Sequence, residues 1–163
     1  MSKGGKRPKR LPASAVPEQP NRVPRRLPAS HDVDGQSPLW RLSLLDRDHQ
    51  GSWSWGIDEA TLLKIVTLLR EMESLTWTEI FNQQTGGKKR RGPRNKPIPV
   101  ENLCKEAQNR LRELKLEEWD ELFRFREGNM GRLWGVLTPE HPRVFYPIWW
   151  DADHRVCPGK DRD

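Results

Sequence analysis

The chain changes its period at Leu122. Before it, a segment from about Glu101 to Leu116 repeats Leu103, Ala107, Leu111 and Leu114 at helical spacing. After it, Leu122-Phe123-Arg124-Phe125-Arg126, Gly131–Leu137 and Arg143–Trp150 read as strands. Side chains two apart share one face of a strand. The breaks Glu127-Gly128-Asn129 and Thr138-Pro139-Glu140-His141-Pro142 are rich in turn residues. Connections this short join antiparallel neighbours, so an antiparallel three-stranded meander is expected. Pro147 cannot donate to a ladder, which places it at an edge or a bulge.

The earlier elements must fit around that meander. Leu39–Leu45 has a strand pattern with Trp40, Leu42 and Leu44 on one face, and Ser52–Trp55 alternates as a short strand or an aromatic loop. A helix is expected after Asp58 as N-cap, with Leu62, Val66, Leu69 and Met72 as its apolar stripe. Thr76 and Glu79 have capping-box spacing, so a short helical turn starts at Trp77. Residues 82–99 read as a basic loop closed by Pro97 and Pro99. The expected order is β-α-α-β-β-β, an α+β domain whose antiparallel sheet carries two helices on one face.

Charge and proline divide the chain further. Residues 1–38 hold seven of the fourteen prolines and a balance of +5, and residues 86–96 hold +6, on a chain whose net charge is +6. The expected organisation is a disordered basic Pro-rich leader over 1–38, a domain over 39–158 and a short tail over 159–163. The leader repeats Arg-Leu-Pro-Ala-Ser at 10–14 and 26–30, too briefly for a solenoid. Two basic clusters on a near-neutral body point to a polyanion partner. No run approaches the roughly 18 apolar residues of a membrane span, and no apolar stretch follows the basic N-terminus as a secretory signal requires. Cys104 and Cys157 have no CxxC partners, which argues against a disulfide scaffold or a cysteine zinc site and for the cytoplasm. Phosphate-loop, dinucleotide-binding and serine-hydrolase motifs are absent from the sequence.

Several groups of residues are suited to chemistry. Arg124 and Arg126 share a strand face, and Arg132 lies on the next strand. Guanidinium groups offer fixed bidentate donors to phosphate. Alternatively these residues face solvent and pair with Glu127 or Asp120. Lys88, Lys89, Arg90, Arg91 and Arg94 would add non-specific affinity for nucleic acid. Asp151-Ala152-Asp153-His154-Arg155 ends the last strand; His154 can move a proton near neutral pH and Arg155 can face charge developing on a phosphate. That set suits RNA cleavage without a metal or other cofactor, and a polar turn is the plainer alternative. Asp46, Asp48 and His49, joined with Asp151, Asp153 and His154, make a weaker metal-site reading. Most of the eight tryptophans are expected to pack in the core or at its rim; one of the adjacent Trp149 and Trp150 would face outward, free to stack a base or hold a protein.

The segments Leu122–Arg126, Gly131–Leu137 and Ile148–Arg155, in this order of elements, resemble the RelE/ParE-like toxin superfamily. Leu75–Ile80, Lys105–Leu111 and Trp149–His154 are also similar to stretches in proteins of phages and mobile elements. The resemblance implies a small basic endoribonuclease acting on ribosome-bound mRNA, or a gyrase-directed toxin, with an antitoxin as partner. It implies that His154, Arg155, Arg126 and Arg132 act at the scissile phosphate. A non-catalytic protein- or nucleic-acid-binding module of a mobile element is the alternative. The Trp-rich insertion, the long basic loop and Pro147 depart from the toxin pattern, and Asp151 and Asp153 put negative charge where RNA would approach.

Overall fold

The computed structural model describes residues 34–87 and 91–159. The expected leader as far as residue 33, Lys88, Lys89, Arg90 and residues 160–163 lie outside the described residues. The first described residues are tied down: the carbonyls of Asp34 and Gln36 accept from Thr78 N and Trp77 N at 2.7 and 2.9 Å.

The meander forms as its alternation dictates. Strands β5 (Glu121–Glu127), β6 (Gly131–Leu137) and β7 (Val144–Asp151) pair antiparallel in sequence order. Two short strands extend it, β1 (Leu39–Trp40) beside β7 and β4 (Lys96–Pro99) beside β5. β1 runs parallel to β7, so the sheet is mixed rather than antiparallel throughout. A long connection can return in either direction, unlike a tight hairpin. The expected long first strand ends at Trp40 because the chain then peels away, leaving Leu42 exposed. The segment 82–99 is not only a loop: besides β4 it holds a small hairpin, β2 (Gln84–Thr85) with β3 (Gly92–Pro93).

Helices α1 (Glu59–Glu73) and α2 (Trp77–Asn82) lie on one face of the sheet. Helix α3 (Lys105–Glu113) lies on the other, which corrects the expectation of two helices on one face. The cause is in the strands themselves. Phe123, Phe125, Leu133, Phe145 and Trp150 pack with α1 and α2, while Leu122, Trp134, Val136, Ile148 and Trp149 pack with α3. A sheet that is apolar on both faces must be covered on both. Trp149 and Trp150 are therefore both buried, neither facing solvent.

Helix starts follow local chemistry. Asp58 accepts from Thr61 N at 2.8 Å, and Thr76 and Glu79 complete a capping box at α2. The buried stripe of α1 is Ile65, Leu68 and Met72; the expected Leu62 and Val66 are exposed. In β7 the register slips between Trp134↔Trp149 and Gly135↔Pro147, which leaves Ile148 as the extra residue of a bulge. Pro147 thus sits where a missing donor is tolerated. The Ile148 carbonyl accepts from Asp46 N and Trp55 Nε1, tying the 41–58 segment across the strand.

Candidate functional site

Register builds a cationic row on the α3 face. Lys96 stands opposite Arg124, Arg124 opposite Trp134, and Trp134 opposite Trp149. In the next row Arg126 faces Arg132, which faces Asp151. Residues opposed across a ladder project from the same side. Leu122, Trp134 and Val136 lie in the core with α3, and the arginines continue the same face toward the β5–β6 turn.

This row is not a solvated surface. Arg124 is 8% exposed and Arg132 4%. The Arg124 guanidinium carbon lies 6.0 Å from the centre of the Trp134 ring, and its Nε has no partner among the described residues. Arg132 donates from Nη1 to its neighbour's carbonyl, Gly131 O, at 2.7 Å and from Nη2 to Asn129 O at 3.1 Å; its Nε is buried without a partner among the described residues. Neither arginine has a carboxylate within ion-pair distance among the described residues, so the expected pairing with Glu127 or Asp120 does not form. Burial, then the charges of Arg124 and Arg126, bring Arg132 down to about 10. Burial also lowers Arg124, against the opposing pull of Cys157 and Asp151. Arg126 is half-buried; its Nε donates to Gly128 O at 3.0 Å and its backbone N to Asn95 Oδ1 at 3.0 Å.

Asp151 is fully buried, and its carboxylate is occupied by the turn that follows. Oδ1 accepts from Arg155 N at 2.8 Å; Oδ2 accepts from Val156 N at 2.9 Å and Trp134 Nε1 at 3.4 Å. It thereby fixes the turn carrying His154, which is half-buried with φ 58°, and the exposed Arg155. The turn then returns to the core at Val156, whose carbonyl accepts from Cys104 N at 2.8 Å. Cys157 follows, near enough to Arg124 and Lys96 for both charges to act on its thiol, although burial dominates and raises it.

The structure thus brings Arg124, Arg126 and Arg132 together. His154 and Arg155 stand on the turn that Asp151 starts, not within the arginine row. Arg94 lies behind the row, donating weakly to Arg126 O at 3.4 Å, and Arg91 is exposed beside the small hairpin. Lys88, Lys89 and Arg90 fall outside the described residues. Sequence reasoning missed Lys96, hidden in a segment read as loop, and missed Asp151 as the anchor of the His154 turn. The metal-site reading loses its first ligand: Asp46 is held by Arg110 and Trp149, and His49 stacks on Trp53 at 4.9 Å. Among the described residues no group of three or more His, Cys, Asp or Glu is placed to hold a metal ion. Likewise none of their helices is long and apolar enough to cross a membrane.

No family model, curated protein or solved structure matches this chain.

Proposed function

We propose that the chain binds RNA through the phosphate groups that Lys96, Arg124, Arg126 and Arg132 would receive. The observation that carries this reading is the pair of buried arginines, Arg124 and Arg132, with no carboxylate paired to either among the described residues. Elsewhere the fold supplies such partners: Arg110 meets Asp46 at 2.7 Å and Arg143 meets Asp34 at 2.6 Å. A buried charge without a partner costs several kcal/mol, on the order of that set by desolvation, and an incoming anion removes that cost. Cleavage on this surface would fall to His154, as general acid or base on the 2′-hydroxyl and leaving oxygen, with Arg155 facing the charge on the phosphate. The kinship with RelE/ParE-like toxins belongs to this proposal and rests on the meander and its arginines.

The test is to induce wild type and a His154→Ala/Arg155→Ala double variant in a bacterial host and map RNA 5′ ends alongside growth. Growth arrest with new ends, lost in a folded variant, supports a ribonuclease. RNA that co-purifies with the protein without new ends supports binding alone. No RNA bound at low salt rejects the proposal.

A second reading, a module that docks on a protein of the antitoxin kind, is favoured by Leu62, Leu63 and Val66. These stand 48%, 57% and 41% exposed along α1. Replacing them with polar residues should abolish partner capture and leave RNA affinity unchanged.

A further inference from the structure

The RNA reading leaves open which phosphate the buried arginines take. We propose that Arg124 and Arg132 form a pocket for a terminal phosphate, the monoester end of an RNA chain, rather than for an internal diester. This deepens the RNA-binding reading and rests on it.

Charge comes first. Register sets Arg124, Arg126 and Arg132 in adjoining cross-strand rows with one carboxylate among the described residues, Asp151. Its oxygens already accept three N–H donors. Three guanidinium charges against one carboxylate leave an excess of about two, with Lys96 adjoining through β4. An internal phosphodiester brings one negative charge. A terminal phosphate carries about −1.5 to −2 at neutral pH and three strong acceptor oxygens. The monoester matches the excess at a single centre.

Donors and access agree with this. The Arg124 side chain makes no hydrogen bond to a described residue and rests over Trp134. Arg132 has two of its five N–H groups committed, to Gly131 O and Asn129 O. The two stand diagonally across β5 and β6, at about 7–8 Å between backbones, within reach of long side chains meeting one ligand. At 8% and 4% exposure they offer little surface to a ligand. A chain end needs less room at such donors than an internal phosphate, which brings a sugar on each side. The apolar floor supplied by Trp134 strengthens every charged hydrogen bond made above it.

The experiment measures binding of one short RNA in three forms, with a 5′-phosphate, a 3′-phosphate or hydroxyls at both ends, at matched salt. One phosphorylated form should bind about tenfold tighter or more, as expected for one or more charged hydrogen bonds. Its advantage should shrink as pH falls below the second phosphate ionisation near about 6. Arg124→Gln should erase the preference while residual RNA affinity remains. If that variant does not fold, thermal melting of the wild type with the phosphorylated and unphosphorylated RNAs provides the second readout, with the larger stabilisation expected from the phosphorylated form. Equal affinity for all three forms overturns the terminal-phosphate pocket and leaves the RNA reading standing. Stabilisation by inorganic phosphate without preference for any RNA end assigns the pocket to a free anion and overturns the chain-end proposal. Binding of none overturns both.

Discussion

Asp46 accepts three N–H donors at once, Arg110 Nε at 2.8 Å, Arg110 Nη2 at 2.7 Å and Trp149 Nε1 at 2.9 Å. Burial alone would raise its carboxyl, but these hydrogen bonds and the Arg110 charge outweigh it and hold the group below its ordinary 3.8. A carboxylate lowered on folding stabilises the fold above its unfolded value and loses that contribution as pH falls through the folded one. Asp46→Asn should therefore destabilise the protein at pH 7 by about 1–3 kcal/mol, because charged hydrogen bonds to Asp46 are lost while Arg110 keeps Glu113 at 2.7 Å. The gap in Tm between variant and wild type should narrow below pH 3.8, which melts across an acid series would check. Gly135 is constrained by space. A Cβ there would run into the Tyr146 carbonyl oxygen and stand 2.7 Å from Phe145 Cζ and 2.8 Å from the Tyr146 carbonyl carbon. Backbone at a bulge cannot swing aside as a side chain can, so Gly135→Ala should cost at least about 1–3 kcal/mol, read from urea midpoints at unchanged slope.

At the scale of elements, α1 presents two apolar stripes. Ile65, Leu68 and Met72 are buried under the sheet, while Leu62, Leu63 and Val66 stand in solvent. Ile65→Ala should cost about 2–5 kcal/mol. Leu62→Ala should change stability by no more than about 0.5 kcal/mol. Chemical denaturation of the two variants would separate them, and equal losses would mean that α1 is rotated from its described setting. Seven apolar residues between Leu62 and Met72 satisfy helical spacing in more than one way, so periodicity found the helix and its Asp58 cap but could not choose the face. The meander was legible because its breaks are short and its alternation strict over Leu122–Arg126. β1 and β4 were not, since strands of two and four residues, one with Pro97 and Pro99, are defined by their neighbours. The arginines' shared face followed from alternation alone. Their burial did not, because it depends on how the sheet is covered, and sequence reasoning had placed every helix on the opposite side.

The whole molecule sets the sheet between two cores and the cationic row beside the second of them. α1 and α2 cover one face, α3 covers the α3-side core, and the arginines occupy the rest of that second face. A site with apolar walls and a row of charges should combine two kinds of affinity. The more open charges, Lys96 and Arg126, act through counterion release and give salt dependence. The buried ones, Arg124 and Arg132, act where screening by salt is weak. If all four meet phosphates of single-stranded RNA, log affinity should fall with log salt at a slope of about −3. Lys96→Ala should lower that slope by about 0.7 with a modest loss of affinity at low salt. Arg132→Gln should cost more affinity than its single charge contributes to the slope, because the lost hydrogen bonds form away from water. Polarisation titrations over a range of potassium chloride measure both quantities for each variant. Identical losses in slope and affinity for Lys96→Ala and Arg132→Gln would mean that RNA reads this face as plain surface charge, and that the burial of Arg124 and Arg132 serves the fold rather than the ligand.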